Sequence, residues 1–194
     1  MILYLHGFRS SPQSFKARLI AQRLQALGRG ADYQCPQLPS SPQEAIALAA
    51  RIAAQANPDE LTLIGSSLGG YYATWLAEQF GCRAVLLNPA VKPPRDLEQY
   101  IGVTTAYHSD QPFEFKREYL DQLTRFAVAR ITRPQRYFLI AATGDELLDW
   151  REMAAYYPAA RQRIIEGSDH GLSDFSEHLD EVLSFCGIAP GASR

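Results

Sequence analysis

The chain has 194 residues, and its 46% hydrophobic and 21% charged residues are typical of one folded domain and argue against intrinsic disorder. Its formal net charge is -2, from 19 basic and 21 acidic residues, so it lacks the basic excess that predicts a nucleic-acid partner. No apolar run approaches the roughly 20 residues that span a membrane, and the N-terminus lacks the pattern of a secretory signal. We therefore expect a cytoplasmic protein without a membrane span.

Cysteine and histidine are sparse. The three cysteines include no CxxC pair, which predicts reduced thiols rather than a disulfide framework. The four histidines include no HxxxH pair, so the chain offers little material for a zinc site. We therefore expect neither a metal nor a cofactor.

Short apolar runs alternate with helical stretches along the chain. Six runs have the length and composition of strands: 1–5, 33–38, 61–64, 84–87, 137–142 and 163–165. Spacing and capping signals predict four helices. They run from Ser11-Pro12 to 28–30, from the capping box 41–44 to about 56, from 68 to Phe80 and from Asp174 to Phe185. The alternation predicts an α/β fold, a three-layer α/β/α sandwich with about six mainly parallel strands.

The stretch between the fourth and fifth predicted strands, 91–136, is longer than one crossover helix needs. Its aromatic residues are Tyr100, Tyr107, Phe113, Phe115, Tyr119 and Phe126. These rings either pack a helix on the sheet or form the apolar wall of a cap over an active site, and both interpretations can hold. We expect a single domain over 1–188 with a cap-like insertion at about 91–136, followed by a flexible tail at 189–194.

The run GSSLG at 65–69 matches G-x-S-x-G, with Ser67 at its centre. A nucleophilic serine needs a sharp strand-to-helix turn, and flanking glycines let the two backbones approach. The match lies where the motif requires it, after the apolar run LTLI and before a helical stretch. The alternative is a glycine-rich strand-to-helix turn that has a packing role and no catalytic one.

A serine nucleophile needs a base and an orienting carboxylate, in the chain order serine, acid, histidine. His170 follows the last predicted strand in a loop, whereas His178 lies in a helix and His108 lies in the insertion. We therefore predict His170 as the base, the alternative being a structural loop histidine.

The best candidate for the acid is Asp145, which follows the fifth predicted strand. Glu146 and Asp149 are close rivals, and Asp169 adjoins His170, although chain neighbours rarely point at each other. The alternative role for Asp145 is to cap the next helix.

An oxyanion hole requires two backbone N–H donors. One is expected from Leu68, at the start of the helix after the nucleophile, and the other from Phe8, in the loop after the first strand. His6 precedes the nucleophile in the chain, and we interpret it as a brace for that loop.

Several longer motifs resemble those of one known family. They are YLHGF followed by SSP at 4–12, PQLP at 36–39, GSSLGGYYATWL at 65–76, NPAV at 88–91, TGDELLD at 143–149 and IEGSDH at 165–170. Together they resemble the YqiA-type bacterial esterases, a group with the α/β-hydrolase fold, over the chain up to about residue 187. The resemblance implies a cytoplasmic serine esterase that acts on small-molecule acyl esters, with Ser67 as nucleophile, Asp145 as acid and His170 as base.

The same resemblance implies a minimal α/β-hydrolase fold with strand order 2-1-3-4-5-6, without the first strands of larger members. An acyl-CoA thioesterase remains an alternative, and it would need a local basic patch such as Arg9, Lys92 or Arg95. A catalytically silent binding protein with this fold is a second alternative, and a nucleotide-binding sheet is disfavoured because GSSLGG lacks both common phosphate-loop patterns. The sequence predicts no oligomeric state, acyl length or leaving group.

Overall fold

A six-stranded parallel sheet forms the centre of the computed structural model, which describes residues 1–106 and 112–189. In chain order the strands are β1 (Ile2–Leu5), β2 (Tyr33–Gln34), β3 (Thr62–Ser66), β4 (Arg83–Leu87), β5 (Gly102–Thr105), β6 (Pro112–Phe115), β7 (Tyr137–Ala142) and β8 (Arg161–Ile165). The central sheet has the order β2-β1-β3-β4-β7-β8, and all neighbouring strands in it are parallel. The predicted order is therefore confirmed, since β7 and β8 are its fifth and sixth strands.

Helices cover both faces of this sheet. They are α1 (Phe15–Ala26), α2 (Pro42–Ala53), α3 (Leu68–Phe80), α4 (Pro93–Leu97), α5 (Glu118–Arg125), α6 (Trp150–Tyr156) and α7 (Leu179–Phe185). Successive side chains of a strand point to opposite faces, and β1 follows this rule. Leu3 and Leu5 belong to a buried cluster with α2 and α3, whereas Ile2 and Tyr4 belong to a second cluster with α1 and α7. The predicted three-layer α/β/α architecture is confirmed.

Two predicted boundaries near the N-terminus are wrong. The first helix begins at Phe15 rather than at Ser11, because residues 11–14 form a turn. In that turn the Ser11 hydroxyl oxygen accepts the Gln13 N–H, and the Ser11 carbonyl accepts the Ser14 N–H. The second strand, β2, is two residues long rather than six. Pro36 follows shortly after it and has no N–H to donate to a neighbouring strand.

The predicted last helix is broken. Residues 175–177 form a short 3-10 turn, and α7 begins only at Leu179. Asp174 makes no side-chain cap; its carboxylate accepts a hydrogen bond from the Ser168 hydroxyl instead. Tyr107, His108 and the tail residues 190–194 lie outside the described residues.

The long segment between β4 and β7 contains more regular structure than the sequence predicts. Besides α4 and α5 it contains an antiparallel pair, β5 and β6, which forms a sheet of its own. β5 is largely exposed, and β6 alternates Phe113 and Phe115 with exposed residues, so neither strand has the continuous apolar run that marks the strands of the central sheet. None of the helices in the described part of the chain is long and apolar enough to cross a membrane.

Candidate active site

Ser67 occupies a strained turn between β3 and α3. Its backbone has φ 54° and ψ -121°, a region that residues with a side chain seldom adopt. The strain turns the side chain out of the strand direction at the carboxyl end of β3. The Ser67 N–H donates to the carbonyl of Leu87 on β4, and the Ser67 carbonyl accepts from Gly70 and Ala90, which hold the turn in place.

The two glycines of the motif are required by close backbone packing around this turn. A Cβ atom at Gly69 would overlap the carbonyl oxygen of Leu5 at the end of β1. A Cβ atom at Gly65 would overlap the backbone of Gly69. Neither overlap can be relieved by rotating a side chain, because both partners are backbone atoms. The glycines therefore let α3 begin directly against β1 and β3.

The predicted triad residues lie within hydrogen-bonding distance of one another. The Nε2 atom of His170 is 3.1 Å from the Oγ atom of Ser67, and its Nδ1 atom is 2.8 Å from Oδ2 of Asp145. The Asp145 side chain is fully buried, and 17% of the His170 side chain is exposed. Because a carboxylate can only accept, Nδ1 carries the proton and Nε2 is free to accept the serine proton.

Asp145 contacts both the imidazole of His170 and the backbone of the turn after β7, but it does not cap the next helix, because the N-cap of α6 is Asp149. Its Oδ2 atom faces His170, while its Oδ1 atom accepts the N–H groups of Leu147 and Leu148, each at 2.9 Å. The two contacts with the turn fix the carboxylate and leave its second oxygen directed at the imidazole. The turn after β7 therefore holds the predicted acid in place.

The rival acids and histidines have other partners. Glu146 accepts the backbone N–H of His170 rather than a ring proton. Asp149 caps α6 through the N–H of Arg151, and Asp169 accepts the N–H of Ser173. His178 lies 3.7 Å from a carboxylate oxygen of Asp174, on the segment leading into α7. Of the described histidines, His170 is the one paired with Ser67.

The loop after β1 lies directly against the nucleophile. A Cβ atom added at Gly7 would stand 3.1 Å from Cβ of Ser67, so the next residue, Phe8, lies at the same end of the sheet. Leu68 is the first residue of α3, where backbone N–H groups have no partner within the helix. His6 accepts the Leu38 N–H on Nε2 at 2.9 Å, which ties this loop to the segment after β2.

Asn88 is a functional candidate that sequence reasoning missed. It follows β4, is fully buried and has φ 42°. Its Nδ2 atom donates to the carbonyls of Asp169 and His170, and its Oδ1 atom accepts the N–H of Ala142. Asparagine tolerates positive φ better than most residues. The asparagine of NPAV, directly after a predicted strand, was therefore a sequence signal for a special backbone conformation at this position. The side chain joins the ends of β4 and β7 to the loop of the candidate base.

We expect Asn88→Ala to lower kcat by about 100-fold with a smaller change in KM, because the loop of His170 loses both carbonyl anchors and a small displacement of a reacting group is costly. Steady-state kinetics on 4-nitrophenyl butyrate would measure kcat and KM separately. Asn57→Ala, in an exposed turn, is the matched control. An unchanged kcat in a folded Asn88→Ala protein would show that Asn88 does not position the base.

A cavity of about 890 Å³ opens at the carboxyl ends of the strands. Ser67, Leu68, Phe8 and His170 line it, as do residues 95–97 and 99–100 of the segment after β4. The Phe8 ring packs against Tyr100, Phe113 and Phe115 at centroid distances of 5.1 to 5.5 Å. The rings therefore pack together, and Tyr100 is the one described aromatic residue of 91–136 that lines the cavity. The interpretation of this segment as a cap stays a prediction.

Comparison with known proteins places the chain among relatives of the same length. A model of the family described as "Uncharacterised protein family (UPF0227)" matches residues 1–187. The UPF0227 protein YcfP of Salmonella paratyphi B is 29% identical over 188 residues, which are 95% of this chain and 98% of that protein. The resemblance to the YqiA-type group is confirmed.

Solved structures share the fold. Alpha/beta hydrolase domain-containing protein 10 from mouse superposes with a TM-score of 0.67 at 14% identity, over 94% of this chain and 89% of that one. The esterase domain of a Rhodothermus marinus protein superposes with a TM-score of 0.64 at 25% identity, over 94% of this chain and 83% of that one. The predicted α/β-hydrolase fold is confirmed by these superpositions and by the strand order.

Proposed function

This chain belongs to the UPF0227 family and has the α/β-hydrolase fold, and on that premise we propose that it is a serine esterase that hydrolyses carboxylic acyl esters. The observation that carries the proposal is the unbroken hydrogen-bonded series from Ser67 through His170 to Asp145. The likeness to a solved esterase domain supports the same reaction class.

In the acylation step the Ser67 hydroxyl oxygen attacks the ester carbonyl carbon while His170 Nε2 takes the hydroxyl proton. Asp145 stabilises the resulting imidazolium, and the negative charge moves to the former carbonyl oxygen. As the tetrahedral intermediate collapses, the bond to the alcohol oxygen breaks and His170 returns its proton to that oxygen. An alcohol leaves, and Ser67 carries the acyl group.

In the deacylation step His170 removes a proton from a water molecule that attacks the acyl carbonyl. A carboxylic acid leaves, and Ser67 recovers its proton. The backbone N–H groups of Phe8 and Leu68 are the proposed donors to the oxyanion in both steps. Each such donor contributes about 3 kcal/mol to stabilising the transition state in comparable sites.

We further propose that the segment 91–136 acts as a cap within a single domain over 1–188, and that the protein works in the cytoplasm on a small-molecule ester without a bound cofactor. The support for a cap is the contribution of residues 95–97 and 99–100 to the cavity that contains Ser67. The aromatic cluster around Phe8 gives that cap an apolar contact with the oxyanion loop.

The competing activity is hydrolysis of acyl-CoA thioesters. The cations proposed to bind its phosphates have protein partners, because Lys92 and Arg95 both donate to the carboxylate of Glu152. Arg9 donates to the carbonyl of Thr105. These contacts favour the ester over the CoA thioester.

We therefore expect kcat/KM for a butyrate ester to exceed that for butyryl-CoA by at least about tenfold, or about 1.4 kcal/mol. The measurement is a kinetic profile of matched esters and CoA thioesters from two to ten acyl carbons, with Ser67→Ala as the background control. A higher kcat/KM for the thioesters would assign thioesterase activity instead. Binding of these ligands without turnover of any of them would indicate a catalytically silent protein.

A further inference from the structure

A lysine is buried at one end of the catalytic cavity. Lys16 is the second residue of α1, and only 8% of it is exposed. It lines the same cavity as Ser67 and His170. Its Nζ atom donates to the carbonyl of Gly171, the residue directly after the candidate base. The ammonium group is therefore next to the reaction centre.

The charge of Lys16 has no close counter-ion. Within residues 1–106 and 112–189, no carboxylate oxygen lies within 4.0 Å of its Nζ atom. Asp169 and Asp145 attract it only from a greater distance, and both have other partners. Burial lowers the pKa of Lys16 to about 8, against the attraction of Asp169 and Asp145, so the ammonium form still predominates at neutral pH. Buried charges are normally paired, but among the described residues the one hydrogen bond of the Lys16 ammonium goes to the Gly171 carbonyl, and Lys16 lines the cavity.

The start of α1 adds to the positive potential at this place. The first turn of α1 contains no acidic residue, and its N-cap, Ser14, makes no side-chain capping bond. The positive end of the helix dipole is therefore not neutralised locally. Ser14 also lines the cavity, so the helix end and Lys16 face the same space.

The other charged groups of the cavity are already engaged. Arg95 pairs with Asp96 and with Glu152, and Glu146 accepts the backbone N–H of His170. Lys16 is thus the cation that a ligand can neutralise. Because Asp96 and Glu146 also line the cavity, the single ammonium of Lys16 matches one negative charge, as in a carboxylate, better than the double charge of a phosphate monoester.

Building on the proposed esterase activity, we propose that Lys16 and the first turn of α1 bind a carboxylate of the substrate, so that the preferred esters carry one anionic group close to the scissile bond. The group belongs either to the acyl half or to the alcohol half of the ester. In both cases it replaces the missing counter-ion of Lys16.

Matched chromogenic esters test this substrate class. Mono-4-nitrophenyl glutarate carries the carboxylate on the acyl half, and 3-butyryloxy-4-nitrobenzoate carries it on the alcohol half, with 4-nitrophenyl butyrate as the neutral reference. For the wild-type protein we expect kcat/KM of one carboxylated ester to exceed the neutral reference by at least about tenfold. Equal or lower values for both carboxylated esters would overturn the proposal without needing a variant.

The variant Lys16→Met removes the charge and keeps the length of the side chain. We expect it to abolish the preference, so that the ratio of kcat/KM between the carboxylated and the neutral ester falls by at least about tenfold, while Lys16→Arg keeps most of it. If Lys16 only anchors the Gly171 loop, both esters lose activity in parallel and the ratio stays constant, which would contradict the proposal. Arg18→Met removes an exposed charge from the same helix and is the matched control.

Calorimetric binding separates this inference from the esterase proposal. Glutarate is compared with butyrate, and 3-hydroxybenzoate with phenol, in Ser67→Ala protein with and without Lys16→Met. Tighter binding of the more anionic member of one pair, lost on Lys16→Met, supports the anion site even if no ester is hydrolysed. Equal affinities with and without Lys16 would overturn the site even if Ser67-dependent hydrolysis is found.

Discussion

Replacement of Ser67 by alanine is expected to lower kcat for 4-nitrophenyl butyrate by about 10⁴- to 10⁶-fold, the range seen when a nucleophile is removed from a comparable triad. The change deletes the atom that forms the acyl-enzyme and leaves only the oxyanion donors and substrate binding. Alanine at this position keeps the positive φ strain, so the fold is expected to persist.

Two measurements make this result decisive. Circular dichroism and the thermal midpoint establish that the variant is folded, and a fluorophosphonate probe identifies the reactive serine by mass spectrometry. We expect the probe to label Ser67 in the wild-type protein and in Ser184→Ala, a control at an exposed serine of α7, but not in Ser67→Ala. Full activity of Ser67→Ala, or labelling of a different residue, would refute the assignment of the nucleophile.

The second large effect is expected from Asp145→Asn, with a loss of about 10³- to 10⁴-fold in kcat. An amide retains the size of the carboxylate, and its oxygen can still accept the N–H groups of Leu147 and Leu148. Its NH₂ group would then face His170 Nδ1 and favour the tautomer with the proton on Nε2. The imidazole would lose its acceptor position toward Ser67, and the imidazolium would lose its negative partner.

The neighbouring acids provide the comparison. Glu146→Gln keeps an oxygen that can accept the backbone N–H of His170, and Asp149→Asn keeps a cap for α6, so each is expected to change kcat by less than about tenfold. Steady-state kinetics on all three variants decides among the carboxylates that the sequence left open. A larger loss in Glu146→Gln than in Asp145→Asn would identify Glu146 as the orienting group.

Local sequence patterns predicted the central sheet and the residues that meet at its edge, because each depends on short-range chemistry. The apolar runs of β3, β4 and β7 read directly as buried strands, and GSSLG specifies a turn that only small residues can form. Ser67, Asp145 and His170 each follow a strand, and parallel strands end at one edge of the sheet. Their meeting therefore follows from topology once the strands are known.

Features that depend on distant contacts were not predictable in the same way. In the sequence Asn88 looked like the end of a strand. Its proposed role in positioning the loop of His170 depends on hydrogen bonds to carbonyl groups 81 and 82 residues away. Lys16 looks like an ordinary helical lysine in the sequence, whereas in the structure it is buried and donates to a carbonyl 155 residues away, at Gly171. The Ser11-Pro12 pair has the composition of a helix start, but competing turn hydrogen bonds move the start to Phe15.

The position of β8 makes the proposed triad depend on the C-terminal part of the chain. Ser67 and the proposed base, His170, are 103 residues apart, and His170 follows β8, which is the last strand among the described residues and lies at one edge of the sheet. Because a domain of this size folds as one unit, a chain that lacks β8 lacks both an edge of the central sheet and the proposed base. On the proposed mechanism, such a shortened chain keeps Ser67 but has no group to accept its proton, so esterase activity is expected only after β8 and the loop that follows it have been made.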